Sequence, residues 1–152
     1  MNWKPPVKGL DPTVARVAST VTYTDQSLVD VTGLTLPLLA NAVYEFEANL
    51  SVASSEATNG CKYGVQFSGA GASVEAQIQG TLAAASCQSE RISALNTASS
   101  ALVKSANAGG IRIHGVLTTG ANAGNLTIQH LKVSSGTSTV YAESFLKAKR
   151  IG

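Results

Sequence analysis

Histidines, cysteines and carboxylates are the residues through which this sequence could do chemistry, and they are few. Its two histidines are His114 and His130. A turn predicted at residues 120–125 places them on neighbouring strands but one position out of register, hence on opposite faces of a sheet. With no third ligand at a metal-binding spacing, we expect no metal site and interpret them as a core-edge and a surface histidine.

The nine acidic residues are spread along the chain, and the nearest pair in a regular pattern is Glu45 and Glu47. Both occupy solvent-facing positions of a predicted strand, whereas acid and base carboxylates must converge across a cleft. The sequence contains no G-x-S-x-G, P-loop or H-E-x-x-H motif. We therefore expect no catalytic residue, no cofactor, no small-molecule substrate and no enzymatic activity.

The two cysteines, Cys61 and Cys87, leave two states open. If residues 62–68 and 74–82 form a hairpin, Cys61 faces a residue near 81, and Cys87 lies about 20 Å further along an extended chain. A disulfide then requires residues 83–87 to fold back, because bonded cysteines have Cα atoms within about 7 Å. Synthesis in a cytosol favours two free thiols.

Alternation with a period of two dominates the chain and predicts strands. Residues 44–52 are the clearest case, with Tyr44, Phe46 and Leu50 inward and the glutamates outward. The same pattern predicts strands at 14–23, 28–31, 34–39, 62–68, 74–82, 111–117, 126–128 and 140–147. Residues 83–110 fit either a short helix or an edge strand with loops, and we favour strand and loop. Short strands separated by Gly, Asn and Ser turns indicate an all-β sandwich or barrel.

Composition narrows the class of function. The chain of 152 residues is long enough for one domain, which we expect over residues 13–152 after an N-terminal segment. Charged residues make up 13% of the chain, and Ala, Ser, Thr and Gly together supply 67 residues. The net charge is only +2, whereas a nucleic-acid-binding protein normally clusters many Lys and Arg residues on one face. We therefore expect no nucleic-acid partner. No apolar run is long enough to span a bilayer, and the N-terminus lacks a secretory signal, so we expect no membrane partner and synthesis in a cytosol.

Residues 1–12 differ in kind from the rest of the chain. They hold three of the four prolines and the only tryptophan, without any period, which predicts an extended arm. Tryptophan is enriched at binding hot spots, so the arm either anchors on a neighbouring subunit or folds back on its own domain. The residues available for such an interface are Trp3, Lys4, Pro5, Pro6, Val7 and Leu10.

Several stretches resemble a group of small structural proteins of tailed bacteriophages. They are TDQSLVDVTGLTLPL at 24–38, ANAVYEF at 40–46, IHGVLT at 113–118, GNLTIQ at 124–129 and SFLK at 144–147. The resemblance covers most of residues 20–148. One departure is Glu143, where the group often has glycine before Ser-Phe-Leu.

The resemblance implies a jelly-roll-like antiparallel β-sandwich, of about eight to ten strands, with an extended N-terminal arm. It implies a virion structural protein, either a capsid decoration (cement) protein or a head- or tail-fibre module. The expected partners are the major capsid protein and further copies of the chain in a homotrimer, on the capsid exterior after synthesis in the host cytoplasm. The alternative is a receptor-binding fibre module that recognises host-surface glycans, which needs exposed aromatic side chains.

Overall fold

A computed structural model describes residues 13–55, 59–83, 86–102 and 109–152, and in them the chain forms eleven β-strands and no helix. The all-β prediction is confirmed, with one strand more than the top of the expected range. The strands are β1 (Thr13–Arg16), β2 (Val21–Tyr23), β3 (Val29–Leu38), β4 (Val43–Ser54), β5 (Cys61–Phe67), β6 (Ser73–Ala83), β7 (Ser86–Ile92), β8 (Gly109–Thr118), β9 (Gly124–Lys132), β10 (Ser138–Val140) and β11 (Phe145–Arg150).

The strands form two antiparallel sheets packed face to face. The larger sheet has the order β1-β11-β4-β8-β6-β7, with β10 paired to the far end of β4 and β2 paired to β10. The smaller sheet has the order β3-β9-β5. Between the described strands the chain changes sheet six times, from β2 to β3, β3 to β4, β4 to β5, β5 to β6, β8 to β9 and β9 to β10. This repeated crossing makes the sandwich a jelly roll.

The core lies between the sheets, where the predicted alternation places it. In β4 the side chains of Tyr44, Phe46 and Leu50 are buried, while Glu45 is exposed and Glu47 half-buried. Central strands of both sheets contribute fully buried apolar side chains, such as Ile113 of β8. All of these belong to one continuous hydrophobic cluster, so the two sheets share one core.

Two predicted hairpins are wrong. Strands β5 and β6 do not pair, and neither do β8 and β9, because each pair is divided between the two sheets. Their connections, residues 68–72 and 119–123, are short and glycine-rich like hairpin turns, but they carry the chain across one end of the sandwich. Strand β8 instead lies between β4 and β6, and β9 lies between β3 and β5.

Two further strand boundaries differ from those that the alternation of apolar and polar residues predicts. The predicted strands 28–31 and 34–39 are one strand, β3, with a register shift at Gly33, whose φ is 89°. The predicted strand 140–147 is divided into β10 and β11 by residues 141–144, where Glu143 has a φ of 72°. The positive φ shifts the register within β3 at Gly33, whereas at Glu143 the chain is outside strand geometry between β10 and β11.

Residues 93–102 return along the free edge of β5. The backbone N–H of Asn96 donates to the carbonyl of Val65, and that of Ser99 donates to the carbonyl of Tyr63, both at 2.8 Å. Strand and loop, as favoured over helix, is therefore confirmed over residues 86–102. This segment covers an edge of the smaller sheet that would otherwise leave backbone groups unpaired.

Candidate interaction surface

The two histidines lie in different sheets and are not brought together. His130 points inward from β9, and its side chain is completely buried. His114 is half-buried on β8, between Glu47 of β4 and Gln77 of β6. The predicted pairing of their strands is wrong, and His130 is a core residue, which neither of the two predicted positions, core edge and surface, describes. Within the described ranges, no three His, Cys, Asp or Glu side chains gather closely enough to hold a metal ion.

The paired glutamates lie on the outer face of the larger sheet. There the side chains of β11, β4 and β8 border a cavity of about 530 Å³. The carboxylate of Glu47 accepts a hydrogen bond from Asn49 at 2.5 Å, lies 3.2 Å from the Lys147 ammonium and 3.6 Å from the Arg112 guanidinium. The Asn49 bond, opposed by desolvation and aided by the two cations, holds the pKa of Glu47 below its usual range. The charges of this face therefore pair across strands and stabilise the sheet.

Both cysteines are free thiols in this structure. Cys61 is buried in the core at the start of β5, and Cys87 is exposed on the edge strand β7, paired with Thr81 of β6. Because β5 and β6 belong to different sheets, Cys61 does not face a residue near 81 as the predicted hairpin required. Burial, opposed by weaker hydrogen bonds and the Lys132 charge, raises the pKa of the Cys61 thiol.

One end of the sandwich is formed by four segments that contain no charged residue. We call it the uncharged end; it consists of residues 39–42, 68–72, 119–125 and 151–152. The guanidinium of Arg150 lies at its border, where Nε donates to the Gly152 carbonyl at 2.9 Å. All four segments are built of Ala, Gly, Asn, Ser and Thr apart from Leu39 and Ile151. These two are among the large apolar side chains that the described chain exposes, at 56% and 52%.

The segments of the uncharged end are locked together by backbone contacts. The N–H of Asn41 donates to the carbonyl of Gly120 at 2.8 Å. A Cβ atom on Gly120 would lie 2.6 Å from the carbonyl oxygen of Ala70, and one on Gly69 would lie 2.7 Å from that of Asn122. The loops can approach this closely only because both positions are glycine. The surface they form is consequently held in one shape.

Side chains also join these loops. The hydroxyl of Thr119 donates to the Leu39 carbonyl at 2.8 Å and accepts from the N–H of Ala42 at 2.9 Å. The hydroxyl of Ser68 accepts from the N–H of Asn125 at 2.8 Å. Apart from Leu39 and Ile151, the exposed side chains of the four segments are small, and all of them are neutral. Covering these segments therefore removes little charge from water.

The predicted arm residues, Trp3, Lys4, Pro5, Pro6, Val7 and Leu10, lie outside the described residues. Their point of attachment is described: Thr13 begins β1 and pairs with Ala148 of β11. Strand β11 continues from Ala148 to Arg150, and residues 151–152 belong to the uncharged end. The N-terminal segment is therefore attached near the uncharged end of the sandwich.

The uncharged end was missed by the sequence reasoning, which treated each glycine-rich run as an isolated turn. A signal was present, since none of the four segments contains Asp, Glu, Lys or Arg. Assigning them to one surface requires knowing that consecutive strands alternate between sheets. The described residues include no helix with the length and apolar character needed to cross a membrane.

No protein-family model matches the chain, and neither does any curated protein sequence. Among solved structures, the chain is similar to the Eiger TNF of S. frugiperda, with a TM-score of 0.45, 11% identity and 93% of each chain covered. It is also similar to murine APRIL, with a TM-score of 0.41, 10% identity, and 93% of this chain and 100% of that one covered. The infectious bursal disease virus VP2 subviral particle matches with a TM-score of 0.23, 10% identity, and 100% and 45% covered. Likenesses this distant carry no argument about function.

Proposed function

We propose that this chain is a non-enzymatic structural protein of a tailed-bacteriophage virion, a capsid decoration protein that binds the outer surface of the shell. The observation that carries the proposal is the rigid uncharged end, with the tryptophan-bearing N-terminal segment attached beside it. The segments of this surface have neutral side chains, so a partner that covers them and leaves Arg150 at the border in water meets a small desolvation cost. An attached segment rich in proline loses less conformational entropy on binding than a flexible one.

The proposed partners are the major capsid protein and two further copies of the chain in a homotrimer. A standard interface buries about 800 Å² per partner, and symmetry repeats each contact over the shell. Linked contacts of modest strength then act together through effective concentration, which would reinforce the capsid from outside.

The alternative, a fibre module that binds host glycans, has less support in the described residues. The aromatic side chains Tyr23, Tyr44, Tyr63, Phe46 and Phe67 are buried, as the alternation predicted. Tyr141 is the aromatic side chain most exposed there, at 37%. Sugar recognition draws on exposed aromatic faces, which this surface offers sparingly.

The proposal is tested by binding labelled protein to purified heads of the phage whose genome encodes the chain. We expect deletion of residues 1–12, or Ala121→Asp on the uncharged end, to weaken binding at least about tenfold. The deletion removes part of the interface, and the substitution places a carboxylate in it that must lose hydration on binding. Ser89→Asp, an exposed position on β7, is the matched control and should bind like the unaltered protein. Unchanged binding of both altered proteins would overturn the proposed docking surface, and binding to host cells but not to heads would favour the fibre module.

A further inference from the structure

The two sheets are joined by a completely buried hydrogen bond between side chains. His130 points inward from β9 of the smaller sheet, and its Nε2 lies 2.5 Å from the hydroxyl oxygen of Ser138, on β10 of the larger sheet. Neither residue is more than 1% exposed. A buried polar pair of this kind stabilises one arrangement of the sheets as long as its hydrogen bonds are satisfied.

The groups around the His130 ring are mostly aromatic. The ring lies 5.0 Å from that of Tyr23 on β2 and 5.6 Å from that of Tyr63 on β5. Lys132, two residues further along β9 and also buried, donates from its Nζ to the Gly60 carbonyl at 3.2 Å. The described titratable and charged groups that face or act on His130 are Tyr23, Asp25, Cys61, Tyr63 and Lys132.

The neutral ring fits this site and the protonated ring does not. In the neutral form one ring nitrogen carries no proton, whereas in the cation both carry protons that need acceptors. Nδ1 of His130 is buried, and no hydrogen-bond partner reaches it in the described part of the chain. Burial above all, and the Lys132 charge, lower the pKa of His130 to about 4 against the opposing effect of Asp25.

The strands held by this bond are short and pair over few positions; in addition, the hydroxyl of Tyr23 accepts from the N–H of Thr32 on β3 at 2.9 Å. Strand β2 has three residues and pairs with β10 alone. Strand β10 also has three residues, and its other partner is the end of β4, from Val52 to Ser54. By contrast, β4 and β8 pair over ten consecutive positions. The corner formed by β2 and β10 is therefore the part that can separate while the central sheet stays folded.

We propose that His130 is an acid-sensitive latch. A proton added at Nδ1 has no acceptor in the closed site, so protonation from solvent favours an open form, in which the bond to Ser138 is broken and the β2–β10 corner has separated while the central strands of both sheets remain paired. Opening exposes the ring to water, where the cation is stable. Because the open form binds a proton near pH 6.5 and the closed form only near pH 4, the opening equilibrium shifts about tenfold per pH unit between those values.

Backbone hydrogen exchange followed by mass spectrometry tests the latch on the full chain at pH 7.0 and 4.5, with rates corrected for intrinsic exchange. We expect peptides that cover β2 and β10 to lose protection by about fiftyfold at pH 4.5. Peptides from β4 and β8 should keep theirs. His130→Gln, which removes the titrating group, should abolish the acid response, whereas His114→Gln should retain it as the matched histidine control.

An acid response that persists in His130→Gln, or a simultaneous loss of protection in β4 and β8, overturns the latch. Ser138→Ala supplies a second measurement if His130→Gln does not fold. It keeps the titrating ring but removes its inter-sheet bond, so the corner should open about tenfold more at pH 7.0 and still respond to acid. Unaltered protection of the corner at pH 7.0 in Ser138→Ala also overturns it.

Discussion

Glu143 has a φ of 72°, and both of its carboxylate oxygens accept hydrogen bonds of 2.9 Å from Nη1 of Arg16. Glycine adopts a left-handed backbone of this kind without strain. Glutamate rarely adopts this conformation, and here the ion pair with Arg16 of β1 stabilises it. Both side chains are more than half exposed, so the pair contributes at most about 1 kcal/mol.

Comparing Glu143→Gly with Glu143→Ala separates backbone strain from the ion pair, which both variants remove. We expect Glu143→Gly to be more stable than Glu143→Ala by about 1 kcal/mol, because only glycine adopts this φ without strain. Urea unfolding followed by circular dichroism measures the difference. Equal stabilities of the two variants would show that no strain is stored at Glu143.

Two glycines of β8 predict opposite responses to the same substitution. A Cβ atom on Gly115 would collide with the backbone carbonyl of Glu75 and lie 2.5 Å from Ala76 Cα, while one on Gly110 would meet nothing within 4 Å. We expect Gly115→Ala to destabilise the fold by about 3 kcal/mol, because the close approach of β6 and β8 cannot relax without moving backbone. Gly110→Ala should be neutral or stabilising by up to about 1 kcal/mol, since it restricts the unfolded chain.

Chemical unfolding of the two variants beside the unaltered protein measures both effects. A similar loss of stability in both would mean that β8 tolerates no side chain at either glycine. Unaltered stability of Gly115→Ala would mean that β6 and β8 are further apart than they are in this structure.

The strands could be predicted from sequence, but their partners could not. Alternation in β4 depends only on which side chains are apolar, and it identified the inward set from Tyr44 to Val52. Pairing depends on where a turn directs the chain, and the glycine-rich run at 68–72 resembles a hairpin turn equally well when it crosses between sheets. A jelly roll requires such crossings, but turn residues alone do not distinguish a crossing from a hairpin.

The burial of two polar side chains, His130 and Lys132, also could not be predicted from the sequence. Alternation along β9 places His130 and Lys132 on the inward face with Leu126 and Ile128, and both side chains are completely buried. Residue type alone would instead place these two side chains on the surface, because histidine and lysine lose hydration when they are buried. Their burial depends on Ser138, eight residues away but in the other sheet, and on Gly60, 72 residues away, and only the fold brings these partners to the two side chains.

The two thiols should differ sharply in reactivity. Cys87 is exposed on an edge strand, whereas Cys61 is buried with its pKa raised by burial. In an Ellman assay at pH 8 we expect Cys87 to react at the rate of a free thiol. Cys61 should react at least about a hundredfold more slowly, because it must wait for local opening.

Cys87→Ser is the control for this assay and should abolish the fast phase. Two fast thiols in the unaltered protein would contradict the burial of Cys61. A protein with no reactive thiol, even when unfolded without reductant, would instead contain the disulfide.

Glu47 provides a pH-dependent test of the outer sheet face. Its folded-state pKa lies below that of the unfolded chain, chiefly because Asn49 donates to the ionised carboxylate. A carboxylate with a lowered pKa stabilises the fold above its unfolded value of 4.5, and this stabilisation is lost as the pH falls through the folded value. We therefore expect Glu47→Gln to cost up to about 1 kcal/mol at pH 7 and progressively less below pH 4.5.

The measurement is the difference in unfolding free energy between Glu47→Gln and the unaltered protein, from urea titrations between pH 7 and pH 3. Taking the difference removes the effect of His130, which titrates in both chains. Glu45→Gln, two residues along the same exposed strand face, is the matched control and should change stability by less than about 0.5 kcal/mol. A difference for Glu47→Gln that stays constant or grows toward pH 3 has the wrong sign for a lowered pKa, and would mean that its partners do not favour the ionised carboxylate.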